Sequence, residues 1–445
     1  MTSTDRLLQG WGRTTTGRSR VLGPLEPDAL RALVARRPEG GLLARGAGRS
    51  YGDAAHNTGG LVLAPAIAPH IAVDPVAGTV RAAASTTFAQ LLAALVPHGL
   101  LLPVLPGTSR LTLGGAIAAD VHGRNQRTDG TLARWLDSIE LLCSDGELLE
   151  IRADRDGPAF DATVGGMGLT GVITAATLRL VRVRSALVEV GSHRAADLDA
   201  VLALLDPAPN RYAIARVDTT AGGRALGRGI VDLADHRAVP DPAAEPDGPR
   251  YAPPRGPRAP RLPVGVVNPL TARAFNGLWY HRAPRRTRTV QDLSTFFHRL
   301  DAVRDWNRSL GPAGFLQYQF VVPPAAHGVV AEVLQSLRRA GAAPFLGTLE
   351  RFGPASGGPL SFPMPGWSLA VDMPADRPGL GGVLDDLDQR VAEAGGRVYL
   401  AKDARLGRTA FEAMYGSLEE WRATRARLDP AGLIRSDLGR RLGLC

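Results

Sequence analysis

Through the first 185 residues, apolar and polar positions alternate in short β-type runs punctuated by glycine. The stretch IAVDPVAGTVRAAAST (71–86) alternates, turns at a glycine and alternates again, which predicts a hairpin. SIELLCSDGELLEI (138–151) repeats that pattern around Asp145-Gly146. Residues 88–107 space their apolar positions as a helix does and then run into a buried strand. GVITAATLRLVRV (171–183) is dense in β-branched residues and predicts a strand. This part of the chain reads as α+β with many short strands.

Beyond about residue 185 the period lengthens. SHRAADLDAVLALLD (192–206) predicts a helix, 313–323 a strand, 325–342 an amphipathic helix, 366–374 a strand and 379–396 a helix. That alternation fits a second, α/β unit. Residues 408–430 predict one more helix, stopped at Asp429-Pro430. Residues 237–263, rich in Pro and Arg and without apolar periodicity, predict a mobile loop.

Composition narrows the class. A chain of 445 residues is too long for one ordinary core, and 44% apolar content is that of a globular protein. No apolar run reaches the length of a membrane span, and the N-terminus lacks the apolar core of a secretory signal. Two cysteines, Cys143 and Cys445, make neither a disulfide framework nor a metal cluster. The expectation is a cytoplasmic protein that binds no metal, with attachment at a membrane surface or the cell envelope left open. A net charge of +9 would suit anionic partners. The arginines look scattered among abundant Ala, Gly and Pro, as GC-rich coding produces, so no nucleic-acid partner is expected.

Three glycine-dense stretches carry the candidate chemistry. RGAGRSYGD (45–53) can turn backbone N–H groups toward an anion such as phosphate, with Arg45 and Arg49 adding charge. PGTSRLTLGGAIAADVHGRN (106–125) supplies the hydroxyls of Thr108, Ser109 and Thr112. Its Gly114-Gly115 pair permits close packing on a flat ligand, and His122 follows in a Gly-flanked turn. GMGLTG (166–171) matches a dinucleotide fingerprint, but a β-rich run follows it where a helix is required, so a nicotinamide site is not expected. Near the end, YLAKDARL (399–406) holds Lys402, the one lysine in a chain with 52 basic residues.

Taken in order, these stretches resemble the vanillyl-alcohol-oxidase (PCMH-type) FAD flavoproteins, and GWGRT, GPAGFLQYQFV, PLSFPMPGW, YLAKDAR and FEAMY extend the likeness nearly end to end. The resemblance implies a two-domain α+β fold. Residues 1–185 and the C-terminal segment 398–445 would form the FAD domain. Residues 186–397 would form a substrate domain, a β-sheet flanked by helices, with the loop at about 237–263. It implies FAD contacts from Arg45, Gly46, Ala47, Gly48, Arg49, Ser50, Tyr51, Gly52, Asp53, Gly107, Thr108, Thr112, Leu113, Gly114, Gly115, Ala119, Asp120, Val121, His122, Val172 and Tyr399. Many relatives attach FAD through a histidine in the first loop; that place looks to be Arg49 here, so non-covalent FAD is expected.

By the same resemblance Lys402 lies at the flavin and substrate. A buried ammonium can hold an alkoxide or, with its pKa depressed, accept a proton; arginine can do only the former. His122 is the competing acceptor. Gln317, Gln319, Glu350, Ser368, Ala370, Arg124 and Phe297 are implied on the substrate side. Several depart from the family's ribose-oxidising branch: Glu350 for a lysine, Ser368 and Ala370 for an asparagine and a cysteine, Arg124 for a lysine, Phe297 for a tyrosine, and Arg216 for a loop tryptophan. The expected activity is oxidation of a secondary hydroxyl of a sugar or sugar-like ring to a ketone. In the branch that acts on polyprenyl-phosphoryl ribose, this is the first half of an epimerisation completed by a separate NAD(P)H reductase. A diverged enzyme acting on a nucleoside, aminosugar or other soluble alcohol is the second reading. A flavin-binding or basic interaction protein without turnover is the third.

Overall fold

The computed structural model describes residues 3–206, 208–238, 245 and 248–445. Three sheets carry the frame. Near the N-terminus, Thr4–Gln9, Thr16–Leu22, Leu42–Ala44 and Leu61–Leu63 form a four-stranded sheet. The predicted hairpins become Ile71–Asp74 with Thr79–Ala83 and Leu136–Leu142 with Leu148–Ile151; Val172–Arg179 joins them into one five-stranded antiparallel sheet. The helix Phe88–Leu95 packs alongside it. Its first turn is closed by a Thr87–Gln90 capping box, and it continues into a short 3-10 turn that Gly99 ends in the left-handed region (φ 64°).

The second unit departs from the predicted α/β pattern. Its eight strands, between Leu187 and Val398, pair antiparallel throughout. One face is buried under helices such as Gly328–Arg339, whose Val329, Val330, Val333, Leu334 and Leu337 are in the core. The predicted helix over 192–206 starts late. Ser192–Ala195 finish the strand Leu187–Ala195, paired on both sides, and the helix Leu198–Leu205 begins only where the Asp197 side chain accepts the Ala200 N–H. The helix predicted over 408–430 is two, Arg408–Met414 and Leu418–Leu428, separated around Gly416.

Of the loop expected at 237–263, residues 239–244, 246 and 247 lie outside the described residues. Residues 251–260 run beside 298–309: Tyr251 Oη lies 3.2 Å from His298 Nδ1, Ala259 N donates to the Arg304 carbonyl, and Arg304 N donates to that of Pro257. After the strand Arg397–Val398 the chain leaves the large sheet, and its last helices return to the first unit. There the indole N–H of Trp421 donates to the Ala162 carbonyl.

Candidate active site

The antiparallel sheet presents one row of side chains to a cavity of about 610 Å³ lying between it and the glycine loops. Alternation on a strand puts residues two apart on the same face. The register therefore lines up Gln317 with Asp372 and Leu346, and Gln319 with Ala370 and Thr348; Ser368 falls beside Glu350 in the next row. Ile214, Arg216 and Asp232 extend this wall from neighbouring strands. Opposite it lie 45–51, 106–108, Gly114, Gly115 and Ala119, with Val121–Arg124 and Tyr399, Ala401 and Lys402 at the seam.

The first loop is shaped for an anion. Among the described residues, the amides of Gly46 to Ser50 make no hydrogen bond within the chain, whereas Arg45 N donates to Leu63 and Tyr51 N to Ala401. Gly48 adopts the left-handed region (φ 64°), and a Cβ on Gly46 would meet Thr112 Oγ1 at 2.1 Å. The loop can thus lie directly on the second glycine stretch only with glycine there. Arg45 is held by the carbonyls of Ala55 and Gln9, and Arg49 stacks on Trp11 at 4.1 Å. Five free amides, a cationic rim and a side-chain-free floor at Gly107 fit the phosphates and flat ring of a flavin dinucleotide.

At the seam, Lys402 Nζ lies 4.2 Å from the centroid of the Tyr51 ring. Gln317 Nε2 donates to Asp372 Oδ1 (2.8 Å) and to the Tyr51 hydroxyl (3.3 Å). Burial pushes the Lys402 ammonium below the ordinary lysine range and the Asp372 carboxyl above the ordinary aspartate range, and each opposes the other's shift. His122 packs against Phe352, Phe362 and Tyr399, with its Nε2 3.3 Å from the Gln319 amide nitrogen. Burial, and secondarily the neighbouring Lys402, pulls its pKa down to about 3. Its Nδ1 makes no hydrogen bond. On the far wall, burial raises Glu350 to about 7 against the pull of Arg124, and Arg124 lies over the Phe296 ring at 4.5 Å.

Six of the residues expected at the site do not line the cavity. Asp53 is engaged by Arg441 (2.7 Å), which also holds Asp403, locking the first loop to the turn that carries Lys402. Asp120 accepts the hydroxyls of Ser356 and Ser361 and braces the second unit. Leu113 and Val172 are core residues, and Gly52 is pressed against the Asp403 carbonyl. Ser368 reaches the cavity only through Gln319, 3.4 Å away. Tyr399 does line it, with its hydroxyl donating to the Ala119 carbonyl. Sequence reasoning missed Asp372, Asp232 and Trp279. Asp372 had a visible signal, a lone carboxylate in the wholly buried strand Gly366–Pro374.

Residues 20–152 match the FAD binding domain family. The whole chain is 39% identical to decaprenylphosphoryl-β-D-ribose oxidase of Mycolicibacterium smegmatis, over 99% of this chain and 98% of that protein. It is 43% identical to an uncharacterized protein of Streptomyces coelicolor over 80% of this chain and all of that one. It is 31% identical to a Streptomyces alditol oxidase over 41% of this chain and 42% of that enzyme.

Proposed function

This chain belongs to the family of PCMH-type FAD-dependent oxidoreductases that includes decaprenylphosphoryl-β-D-ribose oxidase, and from that premise we propose that it oxidises a secondary hydroxyl of a lipid-linked sugar to a ketone. It is an enzyme of the CH–OH-oxidising class, and its cofactor is FAD. Bound FAD supplies the acceptor for the hydride that leaves the carbinol carbon. Everything else falls to the side chains at the seam.

The observation that carries this reading is the placement of Lys402 at the edge of the cavity, with its pKa lowered by burial. A lysine so placed takes the hydroxyl proton as the carbon–oxygen double bond forms. His122 is the poorer base because its conjugate acid is far too strong; its role is to orient the hydroxyl through a hydrogen bond. Gln317 and Gln319, side by side on one strand, hold the ring's other hydroxyls. FAD is held non-covalently in this reading, because Arg49 stands at the first-loop place where many relatives carry the attachment histidine.

The ketone would be reduced by a separate NAD(P)H-dependent enzyme, which would make the pair an epimerase. The test is anaerobic bleaching of the flavin band by short-chain polyprenyl-phosphoryl pentoses, with free pentoses and aminosugars in parallel. Bleaching by the lipid-linked sugar alone supports the reading, and no bleaching by any sugar overturns it. Glu350 favours a second reading. A buried carboxyl where the ribose-oxidising branch places a cation suits a substrate with less negative charge, such as an aminosugar.

A further inference from the structure

Residues 248–291 carry nine arginines and no aspartate or glutamate, as many positive charges as the net charge of the whole chain. All nine arginines are exposed. Within this stretch lies the helix Pro269–Arg282, built in an unusual way. Its inner face buries Ala272, Asn276 and Tyr280. Its outer face repeats Leu270, Ala274 and Leu278 at four-residue spacing, with Leu270 77% and Leu278 55% exposed. Val264 and Val266, exposed in the lead-in to the helix, extend the apolar strip. A helix that turns a row of large apolar side chains outward has no reason to face bulk water there.

The strip runs to the mouth of the catalytic cavity. Phe275, on the same helix, lines the cavity and is also exposed; so do Leu300 and Val303 from the facing segment. We propose that this surface rests on an anionic bilayer: the outer face of the helix Pro269–Arg282 enters the headgroup boundary, the arginines meet lipid phosphates, and the cavity opens toward the membrane. Exposed aliphatic side chains in a stretch rich in arginine and free of acidic residues are the composition of an interfacial helix. Nucleic acid is the poorer fit, since single strands are gripped by stacked aromatic rings and the outer row of the helix, with its lead-in, is leucine, alanine and valine. No helix among the described residues is long and apolar enough to cross a membrane. Attachment is therefore from one side, and a polyprenyl chain can stay in the bilayer while its sugar enters the cavity.

The inference rests on the reading of a lipid-linked substrate, but its test does not require turnover. The FAD-loaded full-length protein is sedimented with phosphatidylcholine vesicles and with vesicles that also contain phosphatidylglycerol. We expect binding to the anionic vesicles alone, weakened by salt. The variant Val266→Ser/Leu270→Ser/Leu278→Ser, none of which lines the cavity, should lower the partition coefficient about tenfold or more with the flavin spectrum unchanged. Arg273→Gln/Arg282→Gln/Arg286→Gln should lower it comparably. Absence of binding to anionic vesicles overturns the proposal. So does binding that the serine variant leaves intact and heparin abolishes, which would mark a simple polyanion site. Vesicle binding without flavin reduction by any lipid-linked sugar supports the surface and removes the substrate reading instead.

Discussion

The Lys402 ammonium lies over the Tyr51 ring, joining the C-terminal turn to the first glycine loop. Burial holds the Tyr51 phenol well above the usual range, so Tyr51 stays neutral and meets the cation through its ring face. The contact places the chain's one lysine against a residue that also takes a hydrogen bond from Gln317. The lysine, the first glycine loop and the strand that carries Gln317 thus meet at one side chain.

Lys402→Arg keeps the cation over the ring but removes the proposed base. The rate of anaerobic flavin reduction should fall by about 10²–10⁴-fold with the flavin still bound, a loss read by stopped-flow absorbance. Retention of the wild-type rate would leave Lys402 a purely electrostatic group.

The pH profile follows from the same pair. In the proposed role the active form of Lys402 is the neutral amine, and burial lowers its pKa below 10.5, so the reduction rate should climb with pH and level off below that value. Asp372 pulls the lysine pKa back up. Asp372→Asn should therefore move the rise to lower pH, a shift that mere loosening of Gln317 would not produce. The measurement is the rate against pH for both proteins.

Glu350 makes a stability prediction. Its folded-state pKa of about 7 lies above the ordinary 4.5. The folded protein therefore keeps a proton that the unfolded chain has released, and stability declines as pH rises between those values. Glu350→Gln removes that decline. Relative to wild type it should gain up to about 3 kcal/mol at pH 8 and nothing near pH 4, read from thermal unfolding at both values.

Gly46→Ala puts a methyl group against Thr112. The two glycine loops must separate, and FAD affinity should drop about tenfold or more, measured by flavin release on dilution. Gly46→Ala/Thr112→Ala should recover part of it.

Much of the flavin side was legible because its chemistry is local. The RGAGRSYGD loop and the Lys402 turn are contiguous stretches, and the fold brings both to the cavity. The substrate wall was less legible because it is made by pairing across long distances, as where Ala215 meets Leu349. The strand Arg286–Asp292 escaped notice for another reason: it is a largely exposed edge with no apolar face to register. Asp53 and Asp120 looked like ligand contacts, but their carboxylates brace one segment against another.

Lys402 follows four residues after the last strand of the large sheet, where Tyr399 N still donates to Gln319 and Tyr51 donates to the next-door Ala401 carbonyl. On the proposed division of the chain, residues 186–397 are an insertion whose C-terminal end is tied to the first glycine loop. Grafting a relative's insertion between those points would exchange substrate preference in one step. The recipient would keep its own base and need only a donor that brings glutamine, glutamine and aspartate in register.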